Sequence, residues 1–448
     1  MTNTKERKLW FDGPNYTADA VIIDPEAERI FLIRRGDTGQ WALPGGFVDP
    51  GDDSPYDAAV REAKEEGNLA LFGSAPLIFR GIVDDPRNSE DAWIETSAYL
   101  FTATHTDTGK AGDDAVDVAW PRLDELTPES LYASHACIIE RALDHLKGQQ
   151  LFDTFVSPDT ATRIDAGHME YNKSICEKDG RAVFAKQHAF ERFDDIERAN
   201  RSYYYLEKEA FTMAHLRQYG FDYVPDSSAL YGDTLAMNAL QASDGWQWRA
   251  DPKTIDAYIV DSLKALQALE TISVPADSFD IEPSYESFMK EGWQSFTDKT
   301  RSQLEQRYIQ FLPRLDEASQ ETAHEMMATL DTLQRAAAIP HIPSEFVFCH
   351  HDMRQSNLAW HPQHGSKLVD WSWAGLGEPN SDSTSLLIDL HKSGHDISDY
   401  HDHINPHHCL TLMGFWLGHS TWPHRGNDTV RFQQFLSALS AYEVLKAL

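Results

Sequence analysis

The strongest constraint in this sequence is a run of six residues, Arg61-Glu62-Ala63-Lys64-Glu65-Glu66. On a helix, residues three and four apart share a face, so Glu62, Glu65 and Glu66 stand together. Clustered carboxylates repel. The grouping makes sense when hard divalent cations sit among the oxygens, and Mg²⁺ takes carboxylate, water and substrate phosphate as ligands. The helix start is also readable: Ser54 caps it, Pro55 suits the first turn, and Asp57 stands where a capping-box acid would. A Gly-rich loop, Leu43-Pro44-Gly45-Gly46, precedes it.

The stretch Gly46 to Leu69 resembles the Nudix box: a glycine, five residues, a glutamate, seven residues, then R-E-U-x-E-E-x-G-U with U apolar. Gly46, Arg61, Glu62, Glu65 and Glu66 fit. The early acid is displaced. Asp52 or Asp53 must serve, eight residues rather than seven separate Asp52 from Arg61, and the late glycine is Asn68.

Around the box, Ala20–Ile23 and Ile30–Ile33 flank the turn Asp24–Glu28 and read as a β-hairpin. Further strand signals are Leu77–Val83, Trp93–Phe101 and Val116–Trp120, and Pro128–Leu146 reads as a helix. These pieces make an α/β/α sandwich. The segments Gly13-Pro14-Asn15, Arg35–Gly46, Val83–Asn88, Ala92–Thr96, Ala111–Ala115 and Leu131–His135 occur in the same order in the animal ADP-ribose pyrophosphatases. They also resemble the Nudix-like domain of the ADP-ribose-gated cation channel. That resemblance implies Mg²⁺-dependent (or Mn²⁺-dependent) hydrolysis of ADP-ribose to AMP and ribose 5-phosphate, with Glu62, Glu65 and Glu66 as catalytic metal ligands and Gly46 structural. Arg61 orients the glutamates; Arg87 pairs with a phosphate, and Asp113 and Asp114 accept hydrogen bonds from a ribose. In the channel's domain the box glutamates are degenerate. All three are retained here, which points to catalysis.

At 448 residues the chain is too long for one ordinary domain. Its 71 acidic against 39 basic residues, a formal charge of −32, argue against a nucleic-acid or anionic-membrane surface. Nucleotides stay allowed, because a metal and a few arginines bind them locally. Cys137, Cys176, Cys349 and Cys409 lack C-x-x-C spacing and read as reduced thiols. The N-terminus has no apolar signal core and no run of about 18 apolar residues occurs, so a cytoplasmic protein is expected. Lys147-Gly148-Gln149-Gln150 is the expected domain junction.

The second half holds a second constellation. Phe346–Cys349 is an apolar strand, His350-His351-Asp352-Met353-Arg354-Gln355-Ser356-Asn357 contains H-x-D-x-x-x-x-N, and Val369-Asp370-Trp371 brings another acid. This is the residue set of phosphoryl transfer: one Asp accepts the hydroxyl proton, while Asn and the second Asp hold metals on the phosphates. With Trp373-Ala374-Gly375-Leu376-Gly377-Glu378-Pro379-Asn380-Ser381-Asp382, it resembles the aminoglycoside phosphotransferase and choline kinase family, a branch of the protein-kinase-like fold. The resemblance implies ATP (or GTP) as donor, Asp352 as catalytic base, Asn357 and Asp370 as Mg²⁺ ligands, and Asp382 as structural anchor of the catalytic loop. It also demands a strand lysine and a helix glutamate upstream. Lys186 in Ala182–Lys186 supplies the first; Glu209 is the preferred partner and Glu207 the alternative. Ala166–Asn172 stands where a nucleotide-covering loop belongs, without its G-x-G-x-x-G. The His-rich Tyr400–His408 reads as a polar loop rather than a metal site.

The fold class expected is therefore α/β and α+β. A Nudix α/β/α sandwich over residues 1–150 precedes a bilobal protein-kinase-like domain over 151–448, with a small lobe at about 151–245 and a large lobe at about 246–448. Its partners are small-molecule substrates, ADP-ribose and a hydroxyl acceptor among aminoglycosides, aminoalcohols, sugars and nucleosides, with no nucleic acid and no membrane. A rival reading is an ADP-ribose sensor that regulates a kinase or pseudokinase. A Nudix hydrolase of another nucleoside diphosphate derivative is a further alternative. The oligomeric state stays open.

Overall fold

The computed structural model describes residues 9–113, 115–155, 162–163, 171–178, 181–192, 196–273, 284–339, 341, 345–423 and 428–448. Two compact units emerge: 1–206 with 229–237, and 207–228 with 238–448.

The first unit opens with β1 (Gly13–Asp24), β2 (Arg29–Arg35), β3 (Trp41–Ala42), β4 (Gly45–Phe47), α1 (Pro55–Gly67), β5 (Leu77–Ile82), β6 (Ala92–Thr102), β7 (Ala115–Ala119) and α2 (His135–Phe155). The strands form one mixed sheet in the order β3-β2-β1-β6-β5, with β4 on β1 and β7 on β2. The run Ala20-Val21-Ile22-Ile23 is apolar without alternation because β1 is covered on both faces. Val21 and Ile23 pack with Ile138, Ile139 and Ala142 of α2. Ala20 and Ile22 pack on the opposite side with Ala58, Ala59 and Ala63 of α1. A one-residue slip would exchange the two cores. β1 is shared along its length. Its first half pairs antiparallel with β4, Ala18 opposite Gly46; its end pairs with β2, Ile22 opposite Phe31. The Gly-rich loop is thereby hydrogen-bonded to the central strand.

The hairpin and the three later strands follow the sequence expectation. Helix α2 does not. Pro128–Ser130 is one 3₁₀ turn, α2 starts at His135, and the helix continues through Lys147–Gln150 to Phe155. The expected junction is helical because Gly148 serves close packing rather than chain reversal. A Cβ there would lie 2.2 Å from Asp233 Oδ1 and 2.6 Å from Thr234 Oγ1.

Thr234 opens β12 and Asp233 sits in the turn before it, in the second sheet region of the same unit: β8 (Thr162–Arg163), β9 (Asn172–Lys178), β10 (Arg181–Gln187), β11 (Ser228–Tyr231) and β12 (Thr234–Asn238), ordered β11-β12-β10-β9-β8. Helix α2 is locked to it. His145 Nδ1 is 2.8 Å from Asp233 Oδ2, Tyr203 Oη donates to Asp144 Oδ2 at 2.8 Å, and the Arg141 guanidinium lies 3.3 Å from the Tyr203 ring centroid. By contacts, the strands expected for the kinase small lobe group with the first compact unit. Helix α3 (Ile196–Gln218) begins in this unit and ends in the next.

The second unit is mostly helical: α4 (Ile255–Glu270), α5 (Ser284–Glu291), α6 (Asp298–Phe311), α7 (Glu317–Ala337), α8 (Ser381–Lys392), α9 (Pro406–Ser420) and α10 (Thr429–Ala447). Thr297, Asp316 and Asn405 cap α6, α7 and α9 through their side chains. Among the helices lie two short two-stranded antiparallel sheets, β13 (Val347–Cys349) with β16 (Gly375–Gly377), and the hairpin β14 (Leu358–His361) with β15 (Gly365–Leu368) that falls between them in sequence. Among the described residues no helix is long and apolar enough to cross a membrane.

Candidate active sites

Helix α1 begins as its sequence dictates: Ser54 accepts from Asp57 N, and Pro55 occupies the first turn. It ends at Asn68, whose φ of 51° is left-handed. Asparagine tolerates that conformation, so Asn68 fills the role of the box glycine. Arg61 is the hub. Nε and Nη2 hold the two oxygens of Asp52 at 3.1 and 3.0 Å, and Nη2 also donates to Phe47 O at 2.9 Å. Nη1 donates to Glu62 Oε1 and Glu65 Oε2, both at 2.8 Å. Asp52 is thus the early acid, drawn to the bidentate fork of Arg61, whose hydrogen bonds hold its carboxyl below the usual range.

Glu62 and Glu66 are buried, whereas Glu65 is half exposed. Burial raises the Glu62 pKa against the opposing pull of Arg61. Glu66 Oε2 accepts from Gly45 N at 2.9 Å, fastening α1 to the Gly-rich loop. A Cβ on Gly46 would fall 2.3 Å from Glu62 Oε1, so glycine lets the loop lie against the carboxylates without displacing Glu62. The donors are all oxygen, which suits a hard cation. Their oxygens are not gathered at one point: among the described residues, the three glutamates form no group within 4.8 Å of one another. Mg²⁺ needs only one or two carboxylates beside water and phosphate, so the set fits the family's metal.

The glutamates line a cleft of about 360 Å³. Its other walls contain Arg87, Asp113, Tyr132 and His135, together with Asp19 and Asp85. Arg87, expected to be a phosphate ligand, is paired instead with Asp85, Nε to Oδ1 at 2.8 Å and Nη2 to Oδ2 at 2.9 Å. Burial works to raise the Asp85 pKa, but these bonds bring it below its ordinary value. Tyr132 Oη adds a third bond to Asp85 at 3.3 Å, and the Arg35 guanidinium lies 4.3 Å from the Tyr132 ring centroid. Asp113 reaches the cleft from a left-handed turn with φ 48°; Asp114 lies outside the described residues.

Asp19 is not singled out by the sequence, and Thr96 and His135 carry no individual role there although both lie in segments that resemble the ADP-ribose pyrophosphatases. Asp19 is buried and accepts from Thr96 Oγ1, and burial raises its pKa. His135 Nδ1 accepts from Leu43 N at 2.8 Å, which leaves the ring proton on Nε2, 3.9 Å from Asp19 Oδ1. Burial lowers the pKa of this imidazole. The one local signal was an acid inside the apolar run Ala18-Asp19-Ala20-Val21.

In the second unit, β13 delivers His350, His351 and Asp352 to a loop held from below by Asp382. Its two carboxylate oxygens accept from His350 N at 2.6 Å and His351 N at 2.8 Å. His350 Nδ1 accepts from Asp352 N at 3.3 Å, so Nε2 carries the proton and donates to Val369 O at 2.9 Å. Asn357 Nδ2 donates to Asp352 O and Oδ2 at 2.8 and 2.9 Å, and Asn357 O accepts from Val369 N at 3.0 Å. That bond sets Asp370 beside Asn357. Asp370 has φ 67°, a strained conformation for a non-glycine residue, and its N–H donates to Glu209 Oε1 at 3.2 Å. Arg354, which the sequence reading had not selected, donates to Asp352 Oδ2 at 3.0 Å. In the first unit Lys186 is buried on β10, its ammonium 4.5 Å from the Tyr171 ring centroid. Of the covering loop, residues 166–170 lie outside the described residues.

The phosphotransferase enzyme family model matches residues 160–402, more than half of the chain. The chain belongs to the phosphotransferase enzyme family. A NUDIX domain matches residues 13–142 ahead of it. The mitochondrial ADP-ribose pyrophosphatase of Rattus norvegicus is 34% identical over 169 residues, covering 29% of this chain and 47% of the relative. A putative nudix hydrolase 6 of Caenorhabditis elegans is 35% identical over 147 residues, covering 29% and 54%. A putative 8-oxo-dGTP diphosphatase of Bacillus subtilis (strain 168) is 52% identical over 105 residues, covering 23% and 63%. The chain spans less than two thirds of the length of each of these relatives. This phosphotransferase-family protein is thus built from two enzyme-family domains, of families that use divalent metals and nucleotides.

Proposed function

We propose that the protein is a bifunctional enzyme, an ADP-ribose diphosphatase joined to an ATP-dependent small-molecule kinase. The observation that carries the first half is convergence. Arg87, Asp113, Tyr132 and His135 come from three segments outside the glutamate helix, separated by up to 48 residues in sequence, and line one cleft with Glu62, Glu65 and Glu66. These segments are the ones that resemble ADP-ribose pyrophosphatases.

In this reading the three glutamates hold Mg²⁺ (or Mn²⁺), which when bound neutralises the diphosphate and lowers the pKa of the attacking water. Arg61 sets the glutamate rotamers, and Asp113 and Asp114 accept from ribose hydroxyls. Arg87 meets a phosphate by exchanging part of its pairing with Asp85. In the kinase half Asp352 accepts the acceptor hydroxyl proton, and Asn357 and Asp370 are the metal ligands. Lys186 binds the donor phosphates, Glu209 orients that machinery, and Asp382 braces the loop. Four unpaired thiols suit a reducing cytoplasm.

The test is direct. Incubation with ADP-ribose and Mg²⁺ should release AMP, and 8-oxo-dGTP should be a poorer substrate. AMP formation absent at high enzyme concentration refutes the ADP-ribose reading, and turnover of 8-oxo-dGTP in its place would make the domain a nucleoside triphosphate hydrolase, like the 52% identical putative 8-oxo-dGTP diphosphatase. A metabolite screen by mass spectrometry for ATP-dependent gain of one phosphate identifies the acceptor. Glu66→Gln should abolish AMP release and spare ATP turnover, and Asp352→Asn should do the reverse. Coupled losses favour regulation, a reading supported by the bonds from α2 to Tyr203 and Asp233.

A further inference from the structure

Outside both sites, three side chains from distant segments meet: His341 after α7, Glu378 after β16 and His407 in the first turn of α9. Glu378 is buried, and each of its oxygens faces a different imidazole. His407 Nδ1 stands 2.8 Å from Oε1 and His341 Nε2 stands 3.1 Å from Oε2. The two rings stack, with centroids 3.8 Å apart and planes 28° from parallel. All three ligand atoms lie within 4.8 Å of one another, and among the described residues no other group of three such donors does.

We propose that His341, Glu378 and His407 form a binding site for a zinc-type divalent cation. Two imidazoles and one carboxylate are the donor set of three-ligand zinc sites that keep a fourth position open. Tetrahedral bonds of 2.0–2.1 Å put donor atoms about 3.3 Å apart, so whichever Glu378 oxygen ligates already stands near that spacing from one imidazole, 2.8 or 3.1 Å, and the other imidazole closes in from within 4.8 Å. Nitrogen donors select against Mg²⁺, which the oxygen-only clusters prefer. The carboxylate is fixed by a further bond, since Asn405 Nδ2 donates to Glu378 Oε2 at 2.9 Å. The His341 side chain is 38% exposed, giving an entry path and an outward-facing position for water. To ligate, each imidazole presents the lone pair of the ring nitrogen that faces Glu378 and carries its proton on the other, so no co-reactant is needed.

The site also lies at a sensitive place. A Cβ on Gly377, next to Glu378, would fall 2.6 Å from His351 Cε1, so β16 presses directly on the residue preceding Asp352. A cation there would brace the catalytic loop from a distance.

The experiment uses the full chain in excess Mg²⁺, which occupies the oxygen-only sites. Equilibrium dialysis against Zn²⁺ with metal analysis should show one more equivalent bound by the wild type than by His341→Ala or His407→Ala. Co²⁺ in place of Zn²⁺ should give visible d–d absorption in the wild type, bleached by Zn²⁺ and absent in both variants. Zinc should raise the melting temperature of the wild type alone. Equal zinc uptake in the wild type and in His341→Ala overturns the proposal, as does a Co²⁺ spectrum unchanged from the aqueous ion. His341 lies beyond α7 with its side chain partly exposed, so its variant remains decisive even if His407→Ala fails to fold.

Discussion

Replacing Arg61 with alanine tests whether this residue acts on the glutamates or on the substrate. Its guanidinium makes five hydrogen bonds of 2.8–3.1 Å, to Asp52, Phe47 O, Glu62 and Glu65. Charge-assisted bonds net about 1.5–3 kcal/mol each when buried. Here the side chain is 26% exposed and Glu65 half exposed, so solvent screening reduces the sum severely. What survives is orientation of the metal-binding carboxylates, and loss of such a partner costs about 10–100-fold in metal affinity or activity, or about 1.4–2.7 kcal/mol. The assay is the initial rate of AMP release from ADP-ribose across a Mg²⁺ titration, with circular dichroism as a control for folding. The half-saturating Mg²⁺ concentration should rise about 10–100-fold, with the rate recovering at high Mg²⁺. Arg61→Lys should fall between, because one ammonium cannot reproduce the bidentate grip on Asp52. A folded Arg61→Ala enzyme with wild-type Mg²⁺ dependence refutes the reasoning, and an equal rate loss at every Mg²⁺ concentration would move Arg61 from the glutamates to the substrate.

Gly46→Ala should leave circular dichroism intact and lower the hydrolase rate about 100-fold, because its Cβ would displace Glu62, whose Oε1 is 2.3 Å away. Asp382→Ala should destabilise the second unit by about 2–5 kcal/mol in a denaturant titration, since it orphans the buried amides of His350 and His351. For Asp19 the folded pKa is raised above its ordinary 3.8, so the stability it contributes is complete below that value and is lost as pH rises through the folded pKa. Asp19→Asn should therefore raise the melting temperature at pH 7, with the gain vanishing at acid pH; a constant gain across the titration would contradict the burial argument.

What the sequence made legible is what local geometry encodes. The cap at Ser54, the glutamate face of α1 and the strand runs through Ile23 and Ile33 each depend on residues a few positions apart, within reach of helical or strand periodicity. The early acid was narrowed to Asp52 or Asp53, and only the reach of Arg61 across nine positions decides between them. Gly148 shows a related limit: a glycine followed by polar residues reads as a junction, and its close packing emerges only once Asp233 and Thr234, more than 80 residues away, are known to lie against it.

Sites assembled from distant segments leave no such trace. Asp19 meets Thr96 across 77 residues, and Glu378 meets His341 and His407 across 37 and 29. The His-rich run Tyr400–His408 looked uniform in sequence, yet the fold divides it. His401 and His403 fall in a 3₁₀ turn, whereas His407 enters the first turn of α9, where Asn405 caps the helix and also holds Glu378. One cap thus fixes both the start of a helix and the orientation of a carboxylate. That double duty, rather than histidine density, makes His407 chemically distinct from its neighbours, and it emerges only when the chain is folded.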